Sequence, residues 1–164
     1  MKFPLEKIEK LTGYGLELLL ENIYSDKYGL YLYVFQIFRK NTYKKIGRLT
    51  LRLGQSPEVE YLGNIGYGIS KRFRRNGYAY KACKIILEFL PEHNITSVNI
   101  TVNPDNLPSR KICVKLGGIP TGIVKGRENK LIYKIDLQQY NSSKCSGQNL
   151  LSEFCDTAKG MDIL

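Results

Sequence analysis

The chain has 164 residues, 43% of them hydrophobic and 24% charged, with a formal net charge of +10. That length and balance suit one globular domain with its own core, and no apolar run approaches the ~20 residues of a membrane span. The four cysteines (Cys83, Cys113, Cys145 and Cys155) form no CxxC pair and His93 is the lone histidine, so no metal site is expected.

The opening MKFPLEKIEKLTG alternates charged and apolar residues. It lacks the unbroken apolar stretch of a secretion signal, which points to a cytoplasmic protein. Within it, residues 5–11, LEKIEKL, have helix-like spacing. Residues 15–22, GLELLLEN, read as a strand, and residues 30–39, LYLYVFQIFR, as a second, apolar on both faces. After the turn NTYK, residues 45–53, KIGRLTLRL, set Leu49, Leu51 and Leu53 against Arg48, Thr50 and Arg52, completing a hairpin. Residues 58–69, EVEYLGNIGYGI, read as a further strand whose glycines at 63, 66 and 68 suggest a bulge or a close approach by another backbone.

The basic stretch SKRFRRNG leads into a predicted helix over residues 77–90, with Ala79, Cys83, Ile86, Leu87 and Leu90 on one face and Pro91 ending it. Residues 95–103, ITSVNITVN, form a strand. Asn106 then caps a helix with Pro108 in its first turn, Ile112, Cys113 and Leu116 on one side, and Gly117-Gly118 as its stop. Residues 119–125 and 130–137 make a final strand pair. A strand–helix–strand unit around residues 60–103 requires a crossover, so part of the sheet is expected to be parallel and the rest antiparallel. The domain is placed at residues 1–138. Residues 139–147 read as a linker, and the tail carries Leu150, Leu151, Phe154 and Ala158 at helical spacing. That stripe is expected to pack as a short helix on the body or on a partner in a homodimer.

The stretch FRRNGYAYKA, residues 73–82, puts two arginines and a glycine at a helix start. A helix N-terminus presents unpaired N–H groups with partial positive charge, Gly77 lets an anion approach the backbone, and Arg74 and Arg75 add charge-assisted contacts. The loop therefore reads as a pyrophosphate cradle, or else as a solvated basic turn.

Arg74-Arg75-Asn76-Gly77-Tyr78-Ala79 resembles the Q/R-x-x-G-x-G/A motif of the GNAT superfamily of acyl-CoA N-acyltransferases. Asn106-Leu107-Pro108-Ser109 followed by Lys115-Leu116-Gly117 resembles the N-x-x-S…K-L-G-F pattern of the ribosomal-protein N-terminal acetyltransferase subgroup, as does Gly66-Tyr67-Gly68-Ile69 before the loop. The resemblance covers roughly residues 58–125. It implies an α+β fold with a central mixed, mostly antiparallel, twisted sheet of about seven strands and helices on both faces. It also implies acetyl-CoA as acyl donor. The pyrophosphate would lie on the N–H groups from Arg74 to Ala79, and the pantetheine on the strand end around Gly68, Ile69 and Ser70, where two strands splay apart. Asn103, Asn106 and Ser109 would line the other side.

Three departures stand out. Where many relatives carry an acid tyrosine, the chain has Cys113, either a general acid or core packing. Where some carry a basic glutamate the chain has Gly63, leaving Glu60 as a candidate base or a solvated carboxylate. Relatives place one or two helices between their first two strands; here only Ile23 to Gly29 separate them, a reduced N-terminal helical region that leaves the acceptor side open. The function implied is N-acetyl transfer to a primary amine of a protein or small molecule. The alternative is a nucleic-acid-binding module, resting on the net charge and on twelve tyrosines, several beside basic residues. Against it, Tyr31 and Tyr33 sit in an apolar strand, and CoA already accounts for the basic loop.

Overall fold

The computed structural model describes Leu5 and residues 8–140. Strands β1 (Lys10–Gly13), β2 (Leu16–Ser25), β3 (Tyr31–Arg39) and β4 (Lys45–Leu53) precede a short helix α1 (Pro57–Leu62) and strand β5 (Ile65–Ile69). Helix α2 (Tyr78–Phe89), strand β6 (Ser97–Val102), helix α3 (Leu107–Lys115) and the hairpin β7 (Ile119–Val124) and β8 (Lys130–Asp136) follow. The expected mixed α/β architecture is borne out, and no helix among the described residues is long and apolar enough to cross a membrane.

β1 to β5 make one antiparallel sheet in chain order, and β6, β8 and β7 make a second, also antiparallel. The chain crosses from β5 to β6 through α2, yet among the described residues those strands form no parallel ladder. They touch at a bridge between Gly63 and Ile100, and Asn64 N–H donates to the Asn99 carbonyl at 2.7 Å. From Ile65 onward they belong to separate sheets. Gly63 permits the contact: with φ of 73°, a Cβ there would stand 2.8 Å from Thr101 N and 2.9 Å from the Asn99 carbonyl. The expected close backbone approach is thus real, at the first of the three glycines.

Residues 58–62, read as strand, are helical. The Ser56 hydroxyl accepts a hydrogen bond from Val59 N–H, Pro57 opens the helix, and Glu58 and Glu60 occupy its first turn. Each of these favours a helix start. Leu5–Leu11 is likewise not a helix over its described length: Lys10 and Leu11 belong to β1, paired with Leu19 and Leu18 of β2. Cross-strand pairing outweighs the local spacing there.

β2 and β3 join directly as a hairpin whose turn is closed by the Asp26 carboxylate, accepting from Tyr28 N–H at 2.9 Å and Leu30 N–H at 2.8 Å. No helix intervenes, as the short connection implies. Alternate residues of the sheet (Leu18, Phe35, Leu49, Ile65) are buried toward α2, whose Cys83, Ile86 and Leu87 are also buried. At ~25 cal/mol per Å² this apolar burial is the main drive for the layer to form. The opposite face is more polar: Glu21 accepts hydrogen bonds from Gln36 at 2.7 Å and Arg48 at 3.0 Å, while Arg52 meets Glu58 of α1 at 3.6 Å. Helices thus stand on both sides, α2 on one and the short α1 at the edge of the other.

α3 ends as the glycine pair predicts. Gly117, at φ of 80°, donates to the Val114 carbonyl and Gly118 to the Cys113 carbonyl, both at 2.9 Å, the pairing of a Schellman cap. A Cβ on Gly118 would lie 2.8 Å from that Cys113 carbonyl, so glycine is the residue this backbone conformation accommodates without a shift. The packed body runs past the expected boundary at 138: Tyr140 is buried and its hydroxyl donates to the Leu116 carbonyl at 2.9 Å. The tail stripe from Leu150 to Ala158 lies outside the described residues.

Candidate active site

Where β5 leaves β6, a cleft of about 590 Å³ opens. Its floor comes from Tyr67, Gly68 and Ile69, one wall from Arg74 to Tyr80, and the other from Asn106, Pro108, Ser109 and Ile112. That size is in the range of small-molecule sites.

β5 presents one backbone edge to this cleft. Arg52 N–H donates to the Asn64 carbonyl and Ser70 N–H to the Ile46 carbonyl, so the even-numbered residues of β5 spend their backbone groups on β4. By strand alternation Tyr67 and Ile69 turn theirs to the opposite edge, which β6 has vacated. The Ile69 carbonyl there accepts a hydrogen bond from Arg74 Nε at 3.0 Å, tying the basic loop to the strand end.

The loop then enters α2 in a shape that keeps donors free. Arg75 and Gly77 both have left-handed backbones, at φ of 64° and 71°. Asn76 braces the turn, its side-chain amide donating to the Phe73 carbonyl at 3.1 Å and the Arg74 carbonyl at 3.0 Å. The first backbone bond of α2 runs from Lys81 N–H to the Gly77 carbonyl, and no side chain caps the helix. The N–H groups of Tyr78, Ala79 and Tyr80 therefore lack intrahelical partners and point off a positive helix end. A Cβ at Gly77 would meet no atom within 4 Å. Protein packing does not demand glycine there; the left-handed backbone and the space before the helix end do.

Gly68, Ile69, Arg74, Arg75, Gly77, Tyr78, Ala79, Asn106 and Ser109, all named from sequence, come together in this cleft. Asn106 does so as the cap of α3, its side-chain oxygen accepting from Ser109 N–H at 3.2 Å. Three others stand outside the lining. Ser70 spends its N–H on Ile46, Asn76 acts as the brace, and Asn103 turns to Glu128 at 3.1 Å in a neighbouring depression.

Glu60 lies on α1 beside a separate hollow with Gly54, Ser56 and Asn99, and the structure does not bring it to the cleft. Cys113 is fully buried behind the cleft wall, and burial pushes its thiol up to about 11. A group in that state favours the packing alternative over an exchangeable acid. Sequence reasoning missed Tyr67, Phe73, Tyr80 and Ile112 as lining. For Tyr67 the signal was available: it shares strand parity with Ile65 and Ile69, so it faces the helices that bound the cleft.

No curated protein matches the chain in sequence. Among solved structures, it resembles a protein of Vibrio cholerae provisionally assigned as a ribosomal-protein-serine acetyltransferase, with a TM-score of 0.60 and 15% identity over 77% of this chain and 97% of that one. It also resembles Mycobacterium smegmatis RimJ in complex with CoA-disulfide (TM-score 0.56, 20% identity, 66% and 54% of the two chains). A third is the ribosomal-protein-S5-alanine acetyltransferase of Vibrio fischeri (TM-score 0.56, 19% identity, 66% and 63%). These likenesses concern the fold. Residues 9–119 match the acetyltransferase (GNAT) domain, which is more than half the chain, and the protein accordingly belongs to the GNAT family of acetyltransferases.

Proposed function

We propose that the protein uses acetyl-CoA to acetylate a primary amine, of a protein or a small molecule, by direct attack of the neutral amine. The observation that carries this reading is the uncapped N-terminus of α2, with Arg74 and Arg75 beside it, opening onto the unpaired edge of β5. The cleft suits the donor in three respects. The free N–H groups of Tyr78 to Tyr80 and the two arginines would hold the pyrophosphate. The outward backbone of Tyr67 and Ile69 would pair with the pantetheine amides as an added strand would. Ile69, Ile112 and the tyrosine rings supply apolar walls.

Acetyl-CoA supplies an acyl group activated as a thioester. The chain's part is to orient it and to favour charge where charge develops. The Ile69 N–H, facing the gap left by β6, is placed to donate to an oxygen there. Among the described residues neither Glu60 nor any other carboxylate lines the cleft, so loss of the amine proton to water is the route this lining supports. The acceptor would approach from the more polar sheet face, which the β2–β3 hairpin leaves without an intervening helix.

The test is calorimetric titration with acetyl-CoA, followed by a thiol-release screen across N-terminal peptides, polyamines and small amines. Binding of acetyl-CoA together with turnover on one amine class supports the reading. A folded protein that binds no CoA species refutes it.

A further inference from the structure

Helix α3 carries two stripes. Ser109 and Ile112 line the cleft while Cys113 and Leu116 are buried, so that side faces the body. The other stripe runs through Leu107, Arg110, Lys111, Val114 and Lys115, the i, i+3, i+4, i+7, i+8 spacing of a single helix face. Its two apolar members, Leu107 and Val114, are 57% and 61% exposed. A shallow hollow of about 410 Å³ lies between this stripe and Tyr133 of β8. Ile123 of β7, 60% exposed, stands opposite Leu131 and therefore on the same sheet face as Tyr133. Single apolar side chains on a surface need no explanation, but several around one hollow mark a place for a partner.

The cations of the stripe lack acidic partners. Among the described residues no carboxylate pairs with Arg110, Lys111 or Lys115. Arg110 donates to the Tyr133 hydroxyl at 3.4 Å and the Pro104 carbonyl at 3.2 Å, and Lys115 lies 4.4 Å over the Tyr80 ring. The surface thus suits a segment that is apolar and acidic together. The chain holds such a segment beyond the described residues: Leu150, Leu151 and Phe154 are interleaved with Glu153 and Asp156, and residues 149–164 have three acidic residues against one lysine in a chain of net charge +10.

Reach favours the same occupant. The last described residue, Tyr140, is buried with its hydroxyl on the Leu116 carbonyl at 2.9 Å, beside the C-terminal end of α3. α3 has nine residues and is ~13 Å long, whereas the ten residues from Tyr140 to Leu150 span up to ~33 Å. A tether of that length holds the segment near the hollow at an effective concentration on the millimolar order, so modest contacts suffice. We propose that residues 149–158 dock on the outer stripe of α3, with Leu150, Leu151 and Phe154 against Leu107, Val114 and Ile123, and with Glu153 and Asp156 among the three cations. The contact braces α3 from outside and leaves the cleft, on the helix's other side, open. It goes beyond the acetyl-CoA reading and does not depend on it.

The segment brings its own probe, Cys155. The experiment uses the full chain with Cys145→Ser, which leaves Cys155 and the buried Cys83 and Cys113. Val114→Cys places a second thiol at the hollow, and Lys134→Cys places one at an exposed position on the other face of β8 as the control. A disulfide requires close approach of its two residues, so its rate of formation under mild oxidation, read on non-reducing gels and by peptide mass, reports where the segment lies. The proposal expects an intramolecular link from Cys155 to position 114 that forms ~10-fold or more faster than to position 134. Adding Leu150→Ser/Phe154→Ser should bring the rate down to that of the control. Lys111→Glu should slow it, and Glu153→Lys in that background should restore part of the loss. Equal rates at the two positions overturn the proposal and assign the hollow to a partner outside the chain. A disulfide between two chains overturns it in favour of a second copy. A fast link that none of the serine or charge substitutions slows overturns the apolar and acidic basis of the contact.

Discussion

Arg74 Nε holds the Ile69 carbonyl at 3.0 Å, joining the basic loop to the edge of β5 that, among the described residues, has no strand beside it. The arginine therefore has two roles, charge for an anion and a tether that fixes the loop over the strand end. The roles separate by substitution. Arg74→Ala removes both and should weaken acetyl-CoA binding by ~10-fold or more, since charge-assisted hydrogen bonds are stronger than neutral ones. Arg74→Lys keeps the charge without the planar fork and should recover only part of the loss. Calorimetry at low and high salt checks this: the lysine variant should show the same salt dependence as wild type at lower affinity.

Gly77 tests the anion cradle itself. Its φ of 71° suits glycine or asparagine, and a Cβ there would meet no protein atom within 4 Å. Gly77→Asn should accordingly fold well and lose little more than the space its side chain takes. Gly77→Asp, nearly the same size, brings a negative charge to the helix end and should lower acetyl-CoA affinity ~100-fold relative to Asn. Equal binding by the two variants would remove the electrostatic basis of the site.

Much of this was legible because the signals are local. The alternation of KIGRLTLRL, the Asn106 cap and the Gly117 stop each act within a few residues, and each element lies close to where it was expected. The helix α1 was also locally written, in Ser56-Pro57-Glu58, but the alternation that follows in EVEYLGNIGYGI masked it. β1 had no such signal. KLTG is strand only because β2 pairs with it, and a partner distant in sequence leaves no mark on four residues. The cleft was legible in its glycine and arginines, whose role comes from backbone conformation. Ser70, Asn76 and Asn103 stand outside the lining because their backbone or amide groups are engaged elsewhere, and only three dimensions show that.

Cys113 is expected to act as packing. Cys113→Ala should cost about 1 kcal/mol of stability and leave turnover nearly intact, where a general acid would cost ~10²-fold. The thiol also gives a pH signature. Its pKa is raised from the 9.0 of an exposed thiol to about 11, so the folded state keeps the proton that the unfolded state releases. Its stabilising effect is full below pH 9, declines as pH rises, and is gone above about pH 11. Cys83, fully buried and raised in the same direction, acts alike. Melting temperatures across this window should fall less steeply in Cys83→Ala/Cys113→Ala than in wild type; parallel curves would show that neither thiol is held protonated by the fold.

Gly63 decides whether the two sheets meet as described. It is the bridge to Ile100, it has a left-handed backbone, and a Cβ would lie 2.8 Å from Thr101 N and 2.9 Å from the Asn99 carbonyl. Neither neighbour is a movable side chain tip; both are backbone of β6, fixed by pairing with β8. Gly63→Ala therefore meets two costs. The left-handed conformation is worth about 1–2 kcal/mol against alanine, and relief of the clash requires β6 to shift away from Asn64. Together these should lower stability by about 3 kcal/mol, which for a domain of this size is about 6–12 °C in melting temperature. The shift also widens the gap in which the outward edge of β5 would hold pantetheine, so acetyl-CoA affinity should drop in the folded variant. Gly68→Ala is the control, since a Cβ there meets nothing within 4 Å and the strand should remain seated. Thermal melts with and without acetyl-CoA measure both effects. If Gly63→Ala melts within a degree or two of Gly68→Ala, the sheets do not approach at Gly63, and the splay that forms the cleft has another origin.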